Sequence, residues 1–387
     1  MTPLSLGFVP LVDSAPLIIA HELGFAEANS ISLNLVKHPS WSALRDMLAL
    51  GHLDAAQMLS PAPIASSLNL GNLPLKIDVL MVLSVNGNNI GVAPRIAAKM
   101  RASGWNGDFQ TPRETGQHLI KVAGENLRVG VPFPFAMHME LLHHWLSALG
   151  LHPQGLDIKI VPPPRMPDAI ESGEIDAFCV GEPWGSLGVE KQVAELILPC
   201  SAIWSFAPEK VLAAPYDWIE ENPQKARNLT RATYQAARWL DDPSNRMMAA
   251  TLLARPDYLN LPEHIIDRAL SRRIVPATHA NPIDVPNFQK FHGAAANFPW
   301  RSQAAWIARR LAIRHNIDQA HALEVARACF RTDLYRQNLS GIGVDMPFAS
   351  EKLEGSLSLP TSVASIRGEM ILGPDAFFDG EIFDLSA

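Results

Sequence analysis

The stretch 127-LRVGVPFPFAMHMELLHHWLSAL-149 changes its period part-way along. It opens with alternating β-branched residues, Val129 and Val131, and breaks at Pro132 and Pro134. Met139, Leu142, Leu146 and Leu149 then recur at spacings of 3, 4 and 3, the stripe of an amphipathic helix. Gly150 supplies the stop. Strand, turn and helix is the repeating unit of a sheet whose strands run parallel. His138 falls in the first helical turn, where backbone N–H groups lack internal partners and the macrodipole is positive. Two readings stand for it: a small anion is received there, or the ring caps and packs.

The same unit recurs on the N-terminal side. Strands are expected at 4–9, 31–36 and 54–59, with a continuous apolar run at 77–85 that reads as a buried strand. Helices are expected at 17–23, at 41–50 behind the Ser40 cap, and at 61–68. Asp13-Ser14 reads as a cap ahead of Pro16, and Asn86-Gly87-Asn88 as a turn. A more polar segment, 97–126, carries a short helix around 112–122. Beyond Gly150 the pattern restarts with strands at 158–161 and 177–180 and helices at 166–172 and 183–190.

Leu48 to Ala55 and Ala169 to Ala177 share one plan: a helix end, then Gly, any residue, an aliphatic, Asp-Ala and a buried strand. Each strand then meets a proline turn, Ser60-Pro61 in one and Gly181-Glu182-Pro183-Trp184 in the other. Gly-x-aliphatic-Asp is common between helix and strand, but repetition of the flanking order points to two α/β lobes of like design. The expected division is 1–92 for the first lobe, 93–210 for the second, and 211–387 for a return to the first lobe with a helical C-terminal extension. Helices are expected at 223–240, 243–253, 262–270, 301–314 and 319–330, and the tail from Arg331 is expected to wrap a surface. Two lobes with more than one crossing imply a ligand cleft between them.

Composition narrows the chemistry. Of 387 residues, 48% are hydrophobic and 18% charged, enough for two or three cores. The net charge of −7 gives no basic surface for nucleic acid or anionic membrane. Cys179, Cys200 and Cys329 have no CxxC or zinc spacing and read as buried, reduced thiols. Glu140 and His144 share a helix face and read as a surface pair, since two ligands do not close a zinc site. No GxSxG, P-loop or GxGxxG is present. The expectation is therefore binding without bond-breaking, with no metal and no cofactor. The opening MTPLSLGFVP lacks a basic segment and an apolar leader core, as expected of a cytoplasmic protein.

Several motifs then coincide. Gly7-Phe8-Val9-Pro10-Leu11, Ala15-Pro16-Leu17, Ser40-Trp41 and Leu59-Ser60-Pro61-Ala62-Pro63 resemble the nitrate-binding receptors of ABC transporters (NrtA type) and their bicarbonate-binding relatives (CmpA type). Val131-Pro132-Phe133, His138, Val161-Pro162-Pro163-Pro164, Gly181-Glu182-Pro183-Trp184 and Pro208-Glu209-Lys210-Val211-Leu212 are similar to the second half of that family's pattern. The resemblance covers roughly residues 4–240. It implies a type II periplasmic-binding-protein-like fold and places nitrate contacts on Trp41, Asn88, His138, Pro164, Gly181 and Lys210. Nitrate receptors carry Lys where the bicarbonate relatives carry an acidic residue, so Lys210 argues for nitrate or nitrite.

Those residue types suit a small planar anion. A lysine ammonium about 4 Å away is worth ~4 kcal/mol at an effective dielectric near 20, before desolvation. The Trp41 indole N–H, the Asn88 amide and His138 can donate to the oxygens. On this reading Lys210→Glu abolishes binding and leaves the fold intact. Without an export signal, the chain looks most like the cytoplasmic NasS-type nitrate/nitrite sensors. These hold an ANTAR-type RNA-binding antiterminator (NasT type) and release it on ligand binding, a matter of linkage between two states. The alternatives are an exported nitrate or bicarbonate receptor with its signal removed, a cytoplasmic precursor-biosynthesis enzyme of the same fold, and a sulfonate receptor with a roomier cleft.

Overall fold

Residues 3–71, 75–123, 127–152 and 155–385 are described by the computed structural model. The end of the polar segment, 124–126, lies outside them. The first sheet contains β1 (Pro3–Phe8), β2 (Ser32–Lys37), β3 (Ala55–Leu59) and β4 (Ile77–Asn86). The second contains β5 (Asn88–Val92), β6 (Leu127–Val131), β7 (Leu156–Ile160), β8 (Ala177–Gly181) and β9 (Glu195–Pro199). β10 (Pro208–Pro215) returns to the first sheet, whose order is Gln289–Lys290, β4, β10, β3, β1, β2. The second runs β7-β6-β8-β5-β9. β1 is parallel to β2 and β3, and β6 to β7 and β8. In each sheet one crossing strand runs the other way: β10 between β3 and β4, and β5 between β8 and β9. Every residue of β4 is buried, which is why it reads as an apolar run interrupted only by Asp78, Ser84 and Asn86.

The deciding stretch is built as its periods predict: β6, then a helix over Met137–Ala148, with Gly150 in the left-handed region. Asn86-Gly87-Asn88 is not a hairpin turn. β4 and β5 belong to different sheets, and Gly87 (φ 101°) is the crossing between lobes. A dipeptide signal cannot distinguish a reversal within one sheet from a passage between two. The Asn86 amide ties both crossings together. Its Nδ2 donates to Ser205 O and Asn287 O at 2.8 Å each, and its Oδ1 accepts from Ala207 N at 3.1 Å. Sheet membership therefore puts the outward crossing at Gly87 rather than after residue 92, and the return between Pro199 and Pro208 rather than at 210.

The C-terminal part is more than a wrapping tail. Helix Arg301–His315 meets helix Pro61–Ser67 of the first lobe and helix Met137–Ala148 of the second. After helix Thr332–Leu339 the chain forms a hairpin, Thr361–Ser365 with Gly368–Leu372. Phe377 then stacks on Trp204 and Trp306, with centroids 4.7 and 5.6 Å apart. Glu140 and His144 are buried, which corrects the surface-pair expectation. The Arg314 guanidinium pairs with the Glu140 carboxylate, and His144 packs edge-on to Trp306, Phe377 and Phe378. Helix Arg301–His315 and the tail cover what would otherwise be an outer face of their helix.

Candidate functional site

Lys210 lies on β10 where the register against β4 slips on both sides of it. Neighbouring side chains on a regular strand point to opposite faces. The irregularity lets two neighbours meet: Lys210 Nζ lies 2.8 Å from Glu209 Oε1. The same ammonium lies 2.9 Å from Asp13 Oδ2, in the short turn that follows β1. Gln57 on β3 donates its amide to the other Asp13 oxygen and accepts from Val9 N at 3.0 Å. His138 comes from the second lobe, its Nδ1 3.3 Å from Glu209 Oε1. The Trp41 ring centroid is 5.7 Å from Nζ.

Asn88 and Gly181 are cross-strand partners between β5 and β8. A Cβ on Gly181 would stand 2.6 Å from Leu11 Cδ2, 3.3 Å from Asn88 Oδ1 and 3.6 Å from Asp13 Oδ2, so glycine permits this approach of the two lobes. The next residues latch them. Val12 N donates to Glu182 O and Trp184 Nε1 to Pro10 O, each at 2.8 Å. Trp41, Asn88, His138 and Lys210 are exposed by 3%, 1%, 1% and 0%, so the site is shut from water.

Electrostatics follow from that closure. Burial pushes the Asp13 and Glu209 carboxyls above their ordinary range despite the Lys210 ammonium between them. Burial also disfavours charge on Lys210, but the two carboxylates outweigh it and raise its pKa. His138 is held well below the usual imidazole value by burial and then by Lys210, so its ring is neutral here. Several buried polar atoms lack a hydrogen-bond partner among the described residues: Trp41 Nε1, both Asn88 side-chain atoms, both His138 ring nitrogens and Glu209 Oε2. Buried polar groups are nearly always satisfied, so a convergent set of orphans marks a place for a polar ligand.

The structure thus brings Trp41, Asn88, His138, Gly181 and Lys210 together. Pro164 sits half-buried in the turn Pro163–Arg165 beyond the edge strand β7, and among the described residues no hydrogen bond or ion pair joins it to the cluster. Sequence reading missed Asp13, Gln57 and Glu209. Asp13-Ser14 reads in sequence as a helix cap, yet the residue at the cap position, Ser14, makes no side-chain cap. The Lys210→Glu expectation is corrected as well. Lys210 is no exposed-cleft charge, and a glutamate there would bury a third carboxylate beside two others. Cys179 and Cys200, distant in sequence, meet with sulfurs 3.5 Å apart in the second lobe, and both are buried.

A second cluster lies outside the cleft. His144 Nε2 is 3.5 Å from Asp379 Oδ2, and its Nδ1 is 3.6 Å from Glu381 Oε2. One ring nitrogen of His144 and one carboxylate oxygen each from Asp379 and Glu381 lie within 4.8 Å of one another, which supplies three of the four donors that a closed zinc site takes. Burial takes the His144 pKa down to about 4, against the pull of Asp379.

The pattern of the NMT1-like family matches residues 1–254. The chain belongs to the NMT1-like family. Relatives extend the match over nearly its whole length. It is 29% identical over 396 residues to the nitrate/nitrite binding protein NrtA of a Nostoc species, covering 99% of this chain and 83% of that one. It is 32% identical over 344 residues, 88% of this chain, to the nitrate import ATP-binding protein NrtC of a Synechocystis species. The chain spans only 50% of that ATP-binding relative's length. The crystal structure of the periplasmic nitrate-binding protein NrtA from Synechocystis superposes with a TM-score of 0.84 at 25% identity, covering 99% and 96% of the two chains. The NMT1-like chain thus has the two-lobed periplasmic-binding-protein fold and is similar throughout to NrtA-type receptors.

Proposed function

We propose that this NMT1-like protein is a receptor for nitrate or nitrite that closes its two lobes over the anion and performs no chemistry on it. The observation that carries the reading is the set of unsatisfied polar atoms around Lys210, contributed by both lobes and closed to water. Trp41 provides an indole donor and an apolar wall, Asn88 an amide, His138 a ring nitrogen, and Lys210 the charge that a small monoanion requires. The similarity to NrtA proteins supports the capture component of a transport system as the setting. The other setting is a sensor, in which the ligand-free form holds an RNA-binding antiterminator. Both settings use the same closure, because either partner would read lobe position. No helix of the described residues is long and apolar enough to cross a membrane.

Titration calorimetry of the full chain with nitrate, nitrite and bicarbonate tests the ligand. Heat with nitrate or nitrite and none with bicarbonate supports the proposal; heat with bicarbonate alone overturns it. Fractionation of the native cell, followed by affinity capture with and without nitrate, separates the settings. A periplasmic protein associating with a permease supports transport. A cytoplasmic one that loses an RNA-binding partner on adding nitrate supports the sensor.

A further inference from the structure

The charges around Lys210 do not sum to a positive site. Asp13 and Glu209 both hold carboxylates against one ammonium, at 2.9 and 2.8 Å, and solvent reaches none of the three. With both carboxylates ionised and His138 neutral, the cluster carries one net negative charge before any ligand arrives. A monoanion set among Trp41, Asn88, His138 and Lys210 would double that charge in a space closed to water. Buried charge of one sign is unfavourable unless something compensates.

One group is placed to compensate. His138 Nδ1 stands 3.3 Å from Glu209 Oε1, while its Nε2 is buried and without a partner. A protonated ring would pair its charge with Glu209 on the Nδ1 side and leave Nε2 to donate to the ligand. The charged groups facing the ring are Glu209 and Lys210 on β10; behind them, Asp13 after β1 pairs with Lys210, and the Cys179 thiol of β8 lies within the field of Glu209. On its own helix, Glu140 is already matched by Arg314. Resting on the anion-receptor reading above, we propose that the anion is taken up together with one proton, which settles on His138 between Glu209 and the ligand.

The balance is simple: anion and proton enter, and the site keeps its net charge of minus one. In the ligand-free site burial and Lys210 hold the ring neutral; the anion cancels the Lys210 field and adds an attraction for the proton. Proton uptake on binding makes affinity fall as pH rises, by up to about tenfold per pH unit for one proton.

The experiment is calorimetric titration of the full chain with sodium nitrate at pH 7 in phosphate and in Tris, whose ionisation heats differ, together with Kd at pH 6, 7 and 8. The expected result is a buffer-dependent heat equal to about one proton absorbed per anion, with Kd rising several-fold to about tenfold per pH unit. His138→Gln is expected to bind more weakly, with the proton uptake and the pH slope lost. Equal heats in both buffers with a flat Kd, in a wild-type protein that binds nitrate, overturn the inference. Full proton uptake retained in His138→Gln also overturns it, because the proton then sits on a carboxylate. Absence of binding to nitrate and nitrite in every buffer overturns the receptor reading instead, and this inference with it.

Discussion

Replacing Lys210 by Met keeps most of the length of the side chain and removes its charge. The two carboxylates it serves, Asp13 at 2.9 Å and Glu209 at 2.8 Å, are then left buried together. Each lost contact is worth about 6 kcal/mol at an effective dielectric near 20, but Lys210 no longer has to be desolvated, so the net cost is smaller. Removing one member of a buried ion pair typically costs ~3–5 kcal/mol, and a shared lysine belongs at the upper end of that range at pH 7. The variant can escape by protonating a carboxyl. Burial already raises both carboxyls above their ordinary values, and without the ammonium they rise further. A group whose pKa is raised on folding binds more protons in the native state. Its stabilisation is present at low pH and is lost, at about 1.4 kcal/mol per pH unit per proton, as pH rises through the folded-state value. The deficit relative to wild type should therefore be largest at pH 8 and smallest at pH 5. Urea unfolding followed by tryptophan fluorescence at four pH values measures it. The double variant Lys210→Met/Glu209→Gln should recover part of the loss at pH 8. A deficit below about 1 kcal/mol at pH 7, or one that does not change with pH, would refute the claim that Lys210 is the counter-charge of two ionised, buried groups.

Three further outcomes are expected. Trp41→Phe keeps the apolar wall and removes the unsatisfied indole N–H; nitrate affinity should fall by about tenfold, one hydrogen bond, with the melting temperature nearly unchanged. Unchanged affinity would place the indole outside the ligand shell. Gly181→Ala puts a Cβ 2.6 Å from Leu11 Cδ2 and 3.3 Å from Asn88 Oδ1. It should hold the lobes apart, so nitrate binding weakens and small-angle scattering of the nitrate-bound form shows a larger radius of gyration than wild type. An equal radius with normal affinity would show that the approach is not needed for closure. Phe377→Ala removes one ring of the three-ring cluster it forms with Trp204 and Trp306; it should cost ~3–5 kcal/mol in denaturant unfolding, as large aromatic truncations do in cores. A loss under about 1 kcal/mol would mean the tail is dispensable.

Much of this architecture is written in local pattern. The switch from period two to period 3.6 across 127–149 predicts β6 and the helix behind it, and the apolar run at 77–85 predicts a strand with both faces covered; both are built. The Ser40 cap is real, its hydroxyl accepting from Ala43 N, and it places Trp41 at the helix start facing the cleft. Such features depend on residues within a turn or two of one another, so a sequence displays them directly. The C-terminal tail was legible only as irregular chain, because its order comes from Trp204 and Trp306, far away in sequence.

The candidate site divides the same way. Trp41, His138, Gly181 and Lys210 stand in recognisable ordered motifs, and the family resemblance those motifs carry implies them, together with Asn88 and Pro164, as nitrate contacts. What it could not display is the company Lys210 keeps. Strand alternation sends Glu209 and Lys210 to opposite faces, and only a register slip, set by pairing with β4, brings them to one. Asp13 looks like a helix cap until β1 and β10 are laid in one sheet and its carboxylate meets the lysine. Residue types, spacing and lobe plan were determined by the chain itself, because they rest on short-range stereochemistry and hydrophobic period. The sign of the charge at the site was decided only in three dimensions, because Coulomb energy depends on distance and burial, and neither is a property of sequence order.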